Sequence, residues 1–138
     1  MSLSPQSLLK AADEAARRAY APYSRFPVGA ALETEDGRLF TGCNVENSSF
    51  GLTVCAERVA LFQAVQAGCR AFRRIAIVAG SGEAPATPCG ACRQVLAEFA
   101  GPDLEVLIAS AAQLPAFTRH TLGALLPHAF TWRAHSPD

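Results

Sequence analysis

The sequence predicts an α/β fold, a sandwich built around one mixed sheet of roughly five strands. Three observations lead there. Helical and strand periodicities follow one another along the whole chain rather than falling into separate blocks. Asp36-Gly37 joins two early strand patterns and is a strong hairpin signal, so that pair runs antiparallel. The later half reads strand, helix, strand, and such a crossover makes a parallel pair.

Taken in order, Ser4-Pro5 is a helix start, with an N-cap serine and proline in the first turn. Leu8, Leu9, Ala12, Ala15, Ala16 and Ala19 then recur at helical spacing, and Pro22 is expected to stop that helix. Residues 27–35 and 38–44 form the hairpin strands. A polar loop with Asn44, Glu46, Asn47, Ser48, Ser49 and Gly51 follows. A second helix begins near Cys55 and ends at Gly68, a suitable C-terminal cap. Residues 74–79 read as a buried strand and 80–88 as a Gly/Pro-rich loop. A third helix starts near Cys89 and stops before Gly101-Pro102. Residues 104–109 form another apolar strand. A short strand near Phe117 and a short helix over 121–126 complete the pattern. No repeat, low-complexity segment or linker divides the chain, so residues 1–138 read as one domain.

A chain of 138 residues buries roughly two-thirds of its unfolded surface. It needs no metal merely to fold, so a metal site points to function. Twelve basic residues balance twelve acidic ones. Proteins that grip a nucleic-acid backbone carry a basic excess, so the balance disfavours a nucleic-acid partner and suits a small neutral substrate. Charged residues make up 17% of the chain, below the roughly 25% of an ordinary soluble domain, which suggests surface covered by other subunits. No apolar run approaches the roughly 20 residues of a membrane span. Met1 to Pro5 lack the basic start and apolar core of an export signal. Five cysteines in such a context suggest thiols or metal ligands in a cytoplasmic protein rather than disulfides.

Two short segments carry the chemistry, Cys55-Ala56-Glu57-Arg58 and Pro88-Cys89-Gly90-Ala91-Cys92-Arg93. Each sits where a loop turns into a helix. The first turn of a helix has unpaired N–H groups and partial positive charge, which favours the thiolate that binds zinc. Three protein ligands leave zinc's fourth position open, the pattern of a catalytic site. Water there has its pKa lowered towards about 7, and Glu57 is positioned to collect its proton. Residues two apart on an ideal helix point in nearly opposite directions, so Cys55 must have non-helical backbone if both it and Glu57 face the metal. Arg58, one turn beyond Cys55, can hydrogen-bond a ligating sulfur, and Arg93 is close enough to add to the local field.

Other readings of these residues stand beside that one. Cys89-Gly90-Ala91-Cys92 at a helix start also fits a redox dithiol, which would need neither Cys55 nor Glu57. A structural zinc site would need a fourth ligand, and none of Cys43, Cys69, His120, His128 and His135 has convincing spacing. Asn44 also fits an ordinary loop, Phe26 and Phe130 a core, and Arg58 a solvated surface charge.

The cysteine–glutamate pattern resembles the zinc signature of the cytidine deaminases, with thirty-three residues between Cys55 and Cys89. Further segments are similar to other motifs of that family. They are Ala21-Pro22-Tyr23-Ser24-Arg25-Phe26-Pro27-Val28-Gly29-Ala30-Ala31, Gly42-Cys43-Asn44-Val45-Glu46-Asn47 and Leu125-Leu126-Pro127-His128-Ala129-Phe130. The resemblance spans roughly residues 8–130. It implies a three-layer α-β-α sandwich and zinc held by Cys55, Cys89 and Cys92. It implies hydrolytic deamination of cytidine and deoxycytidine at C4, with Glu57 shuttling protons to ring N3 and then to the leaving ammonia. Asn44 and Glu46 would hold the sugar hydroxyls, Phe26 would line the base pocket, and the Ala56 main chain would read the base edge. Phe130 would enter a neighbouring subunit's site in a homotetramer. Phe50 stands where the family usually has tyrosine, which removes a hydroxyl. An aromatic ending of the kind seen in Phe130-Thr131-Trp132 also occurs in the related blasticidin deaminases, which lack the asparagine–glutamate pair. A nucleoside-antibiotic deaminase, a nucleic-acid-editing deaminase and a non-catalytic zinc protein are the alternative functions.

Overall fold

A computed structural model describes residues 3–132. Helix α1, Pro5–Ala16, starts at Ser4, whose hydroxyl accepts from the Ser7 N–H. It buries Leu8, Leu9, Ala12, Ala15 and Ala16. The helix ends at Ala16 rather than running to Pro22. Its buried positions end there although Ala19 continues the apolar spacing, and tertiary pairing takes over the backbone beyond. The Tyr20 N–H donates to Asn44 O at 3.0 Å, and Tyr20 O accepts from the Glu46 N–H at 2.9 Å.

Strands β1, Val28–Thr34, and β2, Leu39–Cys43, form the expected hairpin, with Gly37 at φ 88° in its turn. Only such a residue adopts that conformation without strain. Helix α2 is Ala56–Gln66 and is followed by strand β3, Phe72–Ala79. Helix α3 is Gly90–Phe99, strand β4 is Glu105–Ser110, strand β5 is Thr118–Thr121 and helix α4 is Leu122–Leu125. The sheet runs β2-β1-β3-β4-β5, with β3 and β4 parallel and the other pairs antiparallel. The mixed, five-stranded sheet and its parallel βαβ pair are as the sequence predicts.

Every residue of β1 is buried, because helices cover both faces of the sheet. Leu8, Leu9 and Ala12 of α1 pack on Ala31, Ala76, Val78, Leu107 and Ala109. On the other face Ala56, Ala60, Leu61 and Leu96 pack on Ala30, Leu32, Ile75, Ile77, Val106 and Ile108. Alternation along each strand thus feeds two apolar layers, and the result is the three-layer sandwich. Glycine permits the closest approaches. A Cβ at Gly29 would lie 1.9 Å from Ala12 O, and one at Gly42 would lie 2.5 Å from Ala60 N.

Register brings the site loops together. Val28 pairs with Ala79 and Gly29 with Cys43, so the start of β1 and the ends of β2 and β3 share one end of the sheet. The chain leaves that end through 44–55 towards α2 and through 80–89 towards α3.

Candidate metal and nucleoside site

Cys55 is the N-cap of α2, with φ −73° and ψ 155°. The non-helical backbone required of it is present, and its side chain makes no capping bond, which leaves the sulfur available. Cys89 is the N-cap of α3, where its sulfur accepts from the Cys92 N–H at 3.4 Å. The Cys55 and Cys89 sulfurs are 3.8 Å apart, those of Cys89 and Cys92 are 3.5 Å apart, and all three lie within 4.8 Å of one another. Zinc–sulfur bonds of about 2.3 Å at tetrahedral angles put sulfurs about 3.8 Å apart. The three thiols therefore fit three corners of a zinc site. Among the described residues this is the one group of three or more that could hold a metal.

Hydrogen bonding from Cys92, then from Arg58 and Cys89, pulls the Cys55 thiol down to about 5 against the effect of burial. Cys92 is pushed upward by the same bond, by burial and by the charges of Glu57 and Cys55. Without a cation the thiolate thus settles on Cys55, and Cys92 holds its proton. A metal replaces thiol protons and lets the remaining thiols ionise. The Arg58 guanidinium lies 3.5 Å from the Cys55 sulfur and also donates to Thr53 O at 3.4 Å.

Glu57, on the first turn of α2, is 4% exposed. Burial, reinforced by the Cys55 charge, raises its carboxyl to about 7, against donors that favour the carboxylate. A buried acid poised near neutrality beside a metal cluster suits proton transfer. Ala56, fully buried, is the first residue of α2, where a main-chain N–H has no partner within the helix.

Segment 44–46 is held between two strand-like bridges, Tyr20 with Val45 and Val45 with Val54. The second places Asn44 and Glu46 beside the approach to Cys55. Asn44 is buried. Its Oδ1 accepts from the Val28 N–H at 2.8 Å, and its Nδ2 donates to Phe26 O at 2.9 Å. The Glu46 carboxylate accepts from the N–H groups of Tyr23 and Ser24 and from the Ser24 hydroxyl. The Ser24 hydroxyl is the main cause of its lowered pKa, so Glu46 stays ionised. These two residues brace the 21–28 loop, a role sequence reasoning missed. The hydroxyl of Ser24, inside a motif already singled out, was the available signal. Tyr23, Ser24, Glu46, Phe50 and Thr53 line a cavity of about 240 Å³. Phe50 meets Tyr23 edge-on, with ring centroids 5.7 Å apart.

A match to the family model for the cytidine and deoxycytidylate deaminase zinc-binding region covers residues 3–108. The chain belongs to this family. It is 46% identical over 126 residues to a cytidine deaminase of Sporosarcina psychrophila, covering 91% of this chain and 90% of that one. Its structure resembles the crystal structure of cytidine deaminase from Burkholderia pseudomallei, with TM-score 0.87, 49% identity, and coverage of 93% of this chain and 100% of that one. It also resembles cytidine deaminase from Mycobacterium tuberculosis, with TM-score 0.80, 44% identity, and coverage of 94% and 98%. Zinc is the metal that this deaminase family's region binds, and the three-cysteine cluster fits it.

Phe26, 38% exposed, sits on the loop that Asn44 holds. Phe130 lies with Arg70, Glu98, Phe99 and Trp132 around a separate cavity, and its carbonyl accepts from Gln94 Nε2 at 3.0 Å. Arg93 directs its guanidinium to the carbonyls of Pro88 and Leu125. The Cys69 sulfur is buried and contacts Arg38 at 2.7 Å. His120 pairs with Thr118, while His135 lies outside the described residues.

Proposed function

We propose that this protein hydrolyses cytidine and deoxycytidine to uridine and deoxyuridine, releasing ammonia. The buried Glu57 carboxyl beside the Cys55/Cys89/Cys92 cluster carries the reading. Zinc, held by those three cysteines, supplies a Lewis acid that lowers the pKa of water towards about 7. Glu57 takes one proton from the attacking water and delivers it to ring N3; it then takes the second from the hydroxyl formed at C4 and gives it to the amine, which leaves as ammonia. Its carboxyl is buried beside the cysteines, away from competing bulk water, which suits a group that both receives and gives a proton. Arg58 offsets negative charge on the Cys55 sulfur. Asn44 and Glu46 orient the sugar, each keeping unused hydrogen-bonding capacity beyond its loop contacts. Phe26 and the Ala56 main chain form the base pocket.

The working form proposed is a homotetramer of single-domain chains in the cytoplasm, serving pyrimidine salvage, with Phe130 completing a neighbour's site. Exposed Val45, Phe62 and Phe130, together with the low charged fraction, support subunit contacts. Among the described residues no helix is long and apolar enough to cross a membrane.

The test is Glu57→Gln. The expected protein keeps stoichiometric zinc and its fold but loses nearly all cytidine turnover. Normal turnover would remove Glu57 from the mechanism.

A further inference from the structure

We propose that Arg93 is a positioning residue that holds the Cys89 loop in its metal-binding shape by tying it to the C-terminal end of α4. The proposal rests on the reading of Cys55, Cys89 and Cys92 as the zinc ligands.

Of the three thiols, Cys89 is the exposed one. It ends a segment, 80–88, that has neither helix nor strand and is mostly open to solvent. Pro88, directly before it, is buried, so its carbonyl needs a partner. Arg93 supplies one: its Nε donates to Pro88 O at 2.7 Å. The peptide that sets the direction of Cys89 is thereby fixed to the helix that carries Cys92.

The same guanidinium reaches further. Its Nη1 donates to Leu125 O at 2.6 Å, thirty-two residues along the chain. Leu125 is the last residue of α4, where carbonyls have no helical partner. One planar group thus bridges the metal loop and the C-terminal segment. The fixed fork of arginine suits two divergent carbonyls, and a lysine ammonium lacks that geometry. The next residue adds a second tie, since Gln94 holds Phe130 O. Losing the Arg93 bridge frees the Pro88 peptide to turn and moves the Cys89 sulfur from the position 3.8 Å from Cys55.

The test measures zinc release to an excess of chelator from zinc-loaded protein well below its unfolding temperature. Arg70 provides the control. It also binds two carbonyls, Val65 O at 2.9 Å and Cys69 O at 3.0 Å, but at the far end of α2. Arg93→Met is expected to release zinc about 10–100-fold faster, with Arg70→Met within about twofold of the unaltered protein. Unchanged release from Arg93→Met, or equal acceleration in both variants, would overturn the proposal. Should Arg93→Met fail to fold, Arg93→Lys carries the test, because it can reach one carbonyl and should release zinc several-fold faster. A rate equal to that of the unaltered protein would then refute it. Failure of the unaltered protein to bind zinc would strike the ligand assignment itself, a different result.

Discussion

Replacing Gly42 with alanine, far from any reacting atom, should disable the metal site. Gly42 lies on β2 directly beneath α2. A Cβ there would sit 2.5 Å from Ala60 N, 2.6 Å from Ala56 O and 3.0 Å from Val59 Cβ. Ordinary contacts are about 3.5–4.0 Å, so α2 must draw back by about 1 Å. The obstructing atoms are mainly main chain, so no side-chain rotation relieves the clash. Overpacking of this kind costs about 1–3 kcal/mol. The functional effect should be larger. Cys55 and Glu57 travel with α2, whereas Cys89 and Cys92 are fixed to α3. A 1 Å displacement would open the 3.8 Å separation of Cys55 and Cys89 beyond a tetrahedral edge. Misplacement on that scale can cost about 100-fold in turnover. Thermal unfolding, zinc content and cytidine turnover of Gly42→Ala measure the three consequences. Full zinc with unaltered turnover would refute the claim that this approach sets the site.

Three further predictions concern the site directly. In zinc-free protein, Glu57 is raised from 4.5 to about 7, so its ionisation opposes folding. At about 1.4 kcal/mol per pH unit this amounts to about 3 kcal/mol, absent below pH 4.5, growing through the window and complete above about pH 7. Zinc-free Glu57→Gln should therefore gain about 3 kcal/mol over the unaltered protein between pH 4.5 and pH 8 in denaturant melts; parallel pH profiles would count against it. Asn44→Ala should weaken nucleoside binding with zinc retained, and should also cost about 1–3 kcal/mol, because the Val28 N–H loses its partner. An unchanged KM would refute the sugar-binding role. Cys89→Ala should lose zinc, and stoichiometric metal in that variant would refute its assignment as a ligand.

The features legible in the sequence are those set by local chemistry. Ser4-Pro5 starts α1, Asp36-Gly37 turns the hairpin, and two cysteines sit at helix starts because their neighbours on one side are loop formers. The need for non-helical backbone at Cys55 followed from helix geometry alone. What remained hidden depends on partners distant in sequence. The early end of α1 results from Tyr20 pairing with Val45. The bracing role of Asn44 and Glu46 depends on a loop some twenty residues earlier. Arg93 reads as a charge near the cysteines, and only the fold shows the two carbonyls it joins. Phe130 reads as a neighbour's site residue through resemblance alone, and its seat against α3 depends on contacts that the sequence does not show.

Turnover by the zinc-loaded protein tests the central claim most directly. Ammonia release would be compared for cytidine, deoxycytidine, free cytosine, blasticidin S and a short cytosine-containing oligonucleotide. The account predicts release from the two nucleosides alone. Release only from blasticidin S or the oligonucleotide would contradict the assigned substrate, and no release from any of them with zinc bound would contradict the reaction itself.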